Sequence, residues 1–219
     1  MKLGPALRKW MPLALERQAA RAYRSMFVDM AEVAKILAAS IPADARVIDI
    51  GGGDGELLNI LLQMRPDLHV TMVDIAGSVG KFVRPEHMGK IVFLSLTRIE
   101  EHAAVAGDHY DAALISDVMH HLPASYRPQF LKSVRSVLNP GGSIFVKDIE
   151  PGHFIATLSL WCDKYVSGDK GVELVSQEGL RQILARSIPG HRAEEIGLFE
   201  RNRPNYVMKI DFAMTERSP

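Results

Sequence analysis

The 219-residue chain is poor in the residues that staple a protein together or give it a field of one sign. Its one cysteine, Cys162, excludes an intramolecular disulfide framework and any multi-cysteine zinc site. Its 26 Lys+Arg balance 26 Asp+Glu, so no overall field draws it to nucleic acid. No uninterrupted apolar run reaches membrane-spanning length. Pro12, Glu16 and Arg17 interrupt the only early apolar stretch, so no secretory signal is expected. What is there is ordinary for a globular domain. Apolar residues make up 47% and charged residues 24%, which excludes bulk disorder. The length suits one domain, or one domain with a small appendage. A reducing compartment, the cytoplasm, is the expected location.

The start is locally basic. Lys2, Arg8, Lys9, Arg17, Arg21 and Arg24 face only Glu16 before Asp29. A solvated or lid helix is the main reading, and a membrane-surface segment the lesser one. Ala20, Tyr23, Phe27, Met30, Ala34, Leu37 and Ile41 recur at helical steps and predict one helix ended by Pro42. Strands are then expected at 46–50, 69–74, 90–96, 110–116 and 143–147, with helices at 56–64 and 123–138 and a turn at Asn139-Pro140-Gly141-Gly142. Alternating strands and helices imply a parallel sheet covered on both faces. Near the end, 192–199 reads as a strand and Tyr206–Met214 alternates strictly. The short connection between them can join only antiparallel neighbours. The expected fold is therefore α/β: a doubly wound, mostly parallel sheet ending in an antiparallel hairpin.

The strongest motif is Val47-Ile48-Asp49-Ile50-Gly51-Gly52-Gly53-Asp54-Gly55, between a strand and a helix. Glycine permits positive φ and close approach of a ligand, and the helix N-terminus offers free N–H groups. Asp74 ends the next strand, where a carboxylate can accept hydrogen bonds from ribose hydroxyls. A dinucleotide fingerprint starting at Gly51 would need glycine at 56, where Glu56 stands. Alternate glycines behind an acid suit a nucleoside without phosphates instead.

This stretch resembles the glycine-rich motif of class I S-adenosylmethionine-dependent methyltransferases. Asp74 matches their ribose-binding acid. Asp111–Leu122, with Ser116-Asp117-Val118-Met119-His120-His121, resembles their fourth strand and following loop. Val137–Ile144 looks like the turn before their fifth strand. The resemblance covers residues 44–150 well and the hairpin loosely. It implies a Rossmann-like, seven-stranded fold with a helical lid over residues 1–42. The methyltransferase domain would then span 43–219, with 150–176 as a substrate-side insertion. It implies S-adenosyl-L-methionine as cofactor and S-adenosyl-L-homocysteine as product. Asp49, Gly51, Gly52, Gly53, Asp74 with Ile75, Thr97, Ser116 and Asp117 are the expected cofactor contacts. The family's frequent acid after the third strand is missing, so adenine recognition falls to backbone groups or Thr97.

Methyl transfer from a sulfonium is a direct displacement, which the protein aligns and keeps dry. A hydroxyl acceptor also benefits from a base, and His120 and His121 stand on the ligand-binding edge of the sheet. The Asn/Asp-Pro-Pro-aromatic motif of nucleic-acid amino-methyltransferases is absent after the fourth strand. Asp117 fits the metal-assisted catechol branch, but Asp148 is followed by Ile149, so no metal ligand is assigned. Tyr23, His153, Trp161 and Tyr165 are candidate acceptor contacts, the last two on an apolar helical face. The expected function is methyl transfer to a hydroxyl oxygen of a small, fairly apolar metabolite. N- or C-methylation and a non-catalytic nucleoside-binding module are the alternatives. The expected partner is the small-molecule acceptor and not nucleic acid, with a homodimer left open.

Overall fold

A computed structural model describes residues 13–25, 27–105, 109–162, 171–198 and 204–212. The elements run α1 (Leu13–Ser25), α2 (Met30–Ser40), β1 (Arg46–Ile50), α3 (Glu56–Met64), β2 (His69–Val73), β3 (Ile91–Leu94), α4 (Ile99–Val105), β4 (Tyr110–Ser116), α5 (Arg127–Ser136), β5 (Leu138–Ile149), α6 (Phe154–Cys162), α7 (Gln177–Ser187), β6 (His191–Leu198) and β7 (Asn205–Phe212). Among the described residues, seven strands form one sheet in the order β3-β2-β1-β4-β5-β7-β6. β1 to β5 are mutually parallel, and β7 runs antiparallel to both β5 and β6. The hairpin expected from the strict alternation of the last strand is thus present. No helix among the described residues is long and apolar enough to cross a membrane.

The strands are apolar on both sides because both faces are covered. Val47, Leu114, Phe145 and Val207 face one core, formed with Val33, Ala34 and Leu37 of α2 and Leu58, Leu61 and Leu62 of α3. Ile48, Ile115, Val146 and Met208 face the other, with Phe130, Leu131 and Val134 of α5 and Leu180 and Leu184 of α7. The central strands β1, β4, β5 and β7 therefore alternate between two cores, not between core and water.

Two local expectations are corrected. The helix predicted from Ala20 to Ile41 is two helices. Asp29 accepts the N–H groups of Ala31 and Glu32 at 3.1 Å each, so it caps α2 and starts a new helix there. The Asn139–Gly142 turn lies inside β5, as an irregularity where the pairing jumps from Tyr110↔Leu138 to Ala112↔Ser143. A Cβ on Gly142 would sit 3.1–3.2 Å from three carbonyl oxygens, so the backbones crowd at this point. The helix α7 and the short α4 were not anticipated from the sequence.

Candidate active site

The crossover from β1 passes through α3 on one face, and that from β4 passes through α5 on the other. Ligands of open α/β sheets bind at such a reversal, beyond the carboxyl ends of the strands. A cavity of about 330 Å³ lies there. Its walls bring together Asp49, Gly51, Gly52, Gly53, Ser116, Asp117, His120 and His121. The structure adds Phe27, Val28, Met30 and Val33 from the α1–α2 joint and α2, Asp54, Glu56 and Leu57 from the start of α3, and Lys147 and Ile149 from β5.

The glycine loop is shaped by what lies beneath it. Gly53 has φ +57°, and its N–H donates to Asp74 Oδ2 at 3.0 Å. A Cβ on Gly52 would lie 2.1 Å from Asp49 Oδ2, so this glycine admits the carboxylate below it. Asp49 is 2% exposed. Burial, and secondarily the charge of Asp74, push its pKa up to about 7. Asp74 Oδ1 accepts the Ala76 N–H at 2.8 Å. Each Asp74 oxygen can accept a second bond, as from ribose hydroxyls.

Two arginines of α1 pair with one wall residue, Glu56. Glu56, 3% exposed, accepts from Arg17 Nε at 3.1 Å and Arg21 Nε at 2.7 Å. The structure commits both arginines to Glu56. A neighbouring ion pair, Lys81 to Glu16 at 2.5 Å, ties α1 to the loop after β2.

Across the cavity, Lys147 Nζ donates to both Asp117 oxygens, at 2.6 and 2.8 Å. Burial alone would raise the Asp117 pKa, but Lys147 and the nearby imidazoles outweigh it and hold the carboxyl below its usual value. His120 is 3% exposed and Asp148 is fully buried. His120 Nδ1 lies 2.5 Å from Asp148 Oδ1. An ionised carboxylate only accepts, so the imidazole proton belongs on Nδ1 and the basic lone pair on Nε2. The loop is pinned from behind by Arg127, 4% exposed, whose Nε donates to the Met119 and Leu122 carbonyls at 3.2 and 3.0 Å. The His121 ring packs 4.2 Å from that of His120. Ligand atoms of Asp117, His120 and Asp148 lie within 4.8 Å of one another, a compact set for a cation. Lys147 and the imidazole N–H already serve its carboxylates.

Other predicted contacts lie off these walls. Thr97 turns its hydroxyl onto the Ser95 carbonyl at 3.0 Å. Ile75 is 71% exposed beside Asp74. His153 is exposed before α6, and Trp161 is 56% exposed on it. Tyr23 belongs to α1 with its side chain outside the described part, and Tyr165 lies outside the described residues. Lys147 and Asp148 were missed as site residues. Their signal was present: two adjacent charges in an apolar strand buried on both faces.

The glycine cradle, the ribose-type acid and a buried carboxylate without phosphate-binding partners fit S-adenosylmethionine. Comparison with known proteins agrees. The O-methyltransferase SfmM3 of Streptomyces lavendulae is 24% identical over 192 residues, covering 76% of this chain and 54% of SfmM3. The crystal structure of mitomycin 7-O-methyltransferase MmcR matches with TM-score 0.63 and 22% identity, over 84% of this chain and 54% of MmcR. A Burkholderia thailandensis 1,6-didemethyltoxoflavin-N1-methyltransferase, solved with S-adenosylhomocysteine bound, matches with TM-score 0.63 and 16% identity, over 90% of this chain and 83% of that one. The chain thus spans about half the length of the first two. The methyltransferase-domain family matches over residues 16–187, and with the fold and cradle described above, the chain belongs to that family.

Proposed function

We propose that the protein methylates a hydroxyl oxygen of a small, fairly apolar acceptor. The observation that carries this reading is the buried His120–Asp148 pair on the cavity wall. S-adenosylmethionine, when bound, supplies an electrophilic methyl group on a sulfonium. The chain's own residues then have three tasks. His120 Nε2 takes the acceptor's proton, and Asp148 stabilises the imidazolium that forms. Phe27, Val28, Met30 and Ile149 give the acceptor an apolar seat and exclude water. Asp74 takes the ribose, and the exposed side chains of Ile75 and Leu96 offer apolar surface to adenine. The helices α1 and α2 serve as a lid, and residues 150–162 and 171–176 flank the acceptor side. A cytoplasmic location belongs to the same reading.

Once a substrate screen has found an acceptor, His120→Ala should slow turnover by about 10²–10⁴-fold with little change in cofactor affinity. Asp148→Asn should lose part of that rate. Amine acceptors alone, with near-normal turnover in His120→Ala, would replace oxygen by nitrogen as the target, as in the toxoflavin N1-methyltransferase.

A further inference from the structure

Among the described residues, the cavity wall holds one lysine and no arginine. That lysine, Lys147, is 3% exposed. By strand alternation it shares a side of β5 with Phe145, which belongs to the apolar core under α2 and α3. Its partner across the strand pair, Val207 of β7, belongs to the same core. An ammonium in such a register is costly to desolvate, and a buried ion pair is often no better for stability than packed hydrocarbon. Binding pockets, in contrast, are mostly apolar with a few polar groups set where a ligand needs them.

The ammonium has donor capacity to spare. Nζ carries three N–H groups, and among the described residues its acceptors are the two oxygens of Asp117, at 2.6 and 2.8 Å. The Lys147 carbonyl also accepts the Asp117 N–H at 2.9 Å. These contacts hold Asp117 at φ +57°, a conformation that a non-glycine residue rarely adopts. The Asp117 side chain is 41% exposed and that of Lys147 is 4% exposed. The anion is therefore screened by water, and the cation keeps the stronger field inside the cavity. His120 flanks the same carboxylate, with ligand atoms of the two within 4.8 Å. The other charged groups nearby are accounted for. Glu56 of α3 has Arg17 and Arg21, and Asp148 has His120. Asp49 lines the wall from β1 and His121 from the loop after β4, and α2 contributes Met30 and Val33.

We propose that Lys147 is a second catalytic residue, whose remaining N–H donates to the acceptor's reacting oxygen and stabilises the negative charge that grows there. The inference rests on the O-methylation reading of this cavity. In the step, the acceptor's O–H bond breaks, its proton passes to His120 Nε2 and its electron pair stays on oxygen. That oxygen bonds to the methyl carbon, and the C–S bond breaks with its pair going to sulfur. The ammonium keeps its own protons throughout. The arrangement selects the acceptor class. A phenol's pKa lies about 3.5 units above that of imidazole, whereas that of an alcohol, like water, lies about 9 above. A neighbouring cation lowers such a value by about 1–3 units, which closes much of the first gap and little of the second. The acceptor is therefore a phenol or an enol.

The test uses the full chain saturated with S-adenosylhomocysteine and a chromogenic phenol, 4-nitrophenol, whose phenolate absorbance reports ionisation in the bound state. Its pKa should fall by about 1–2 units on binding to the wild-type complex. Lys147→Met should abolish that fall, Lys147→Arg should keep part of it, and His120→Gln should keep it. The double variant Lys147→Met/Asp117→Asn removes both charges together, leaves no stranded acid and should lose the shift in the same way. With an acceptor in hand, Lys147→Met should lower kcat by about 10²–10³-fold and make the rate more sensitive to acceptor acidity. A bound phenol that ionises as in water, a shift that survives Lys147→Met, or no binding of the phenol to the complex overturns the proposal and leaves the cofactor site standing. A screen that yields amine acceptors alone overturns the O-methylation reading with it. Failure of S-adenosylhomocysteine to bind overturns the cofactor site as well.

Discussion

Asp74 accepts two backbone N–H groups, one from Gly53 in the loop and one from Ala76 after it. It therefore shapes the cradle before any ligand arrives, and each of its oxygens can accept one more hydrogen bond. Asp74→Ala should cost about 1.5–3 kcal/mol of cofactor affinity, or roughly ten- to hundredfold in Kd. Fluorescence or calorimetric titration with S-adenosylhomocysteine measures it, and an unchanged Kd would remove Asp74 from the ribose site. The motif around Asp74 was legible in the chain because turn glycines and strand-end acids act locally. Asp148 was not legible as the partner of His120. It stands 28 positions away, and only the parallel pairing of β4 with β5 places the two side by side.

At the level of elements, α1 is held by polar contacts. Glu56 takes Arg17 and Arg21, and Lys81 takes Glu16. Both anchors belong to segments that frame the glycine loop, so the helix and the loop share their ties. Glu56 is buried, but the Arg21 side chain is 46% exposed, and solvent screening reduces the worth of the pair. Glu56→Gln should speed hydrogen exchange across residues 13–25 by about fivefold, the equivalent of ~1 kcal/mol. Adding S-adenosylhomocysteine to the wild-type protein should slow exchange in the same segment. Exchange there that ignores the ligand would count against a lid. The basic start reads as a solvated or lid helix. Glu56 holds Arg17 and Arg21, and its position opposite α1 is a matter of packing that helical periodicity does not report.

For the molecule as a whole, Asp49 couples stability to pH. Its folded-state pKa of about 7 lies above the ordinary 3.8. The folded protein then keeps a proton that the unfolded chain has lost, and stability falls as pH rises from about 4 to 7. Asp67, held low by its hydrogen bond to Arg65, acts oppositely and only at more acidic pH. Relative to the wild type, Asp49→Asn should gain melting temperature from pH 5 to pH 8, by about 5 °C. Thermal melts of the ligand-free proteins at the two pH values check it. A constant offset between the two proteins would mean that Asp49 does not titrate in this window.

The sequence by itself determined the alternation of strands and helices, the closing hairpin, the glycine loop and the two acids at the ends of β1 and β2. These depend on local periods, on φ angles open to glycine and on connection lengths, all written in consecutive residues. Tertiary structure decided which side chains meet. It joined His120 to Asp148 and Lys147 to Asp117, and turned Arg17 and Arg21 onto Glu56. It also set Trp161 outward on α6 and away from the cavity. Such meetings depend on strand register and helix packing across tens of residues, where the energy lies in burial and pairing and not in the local chain.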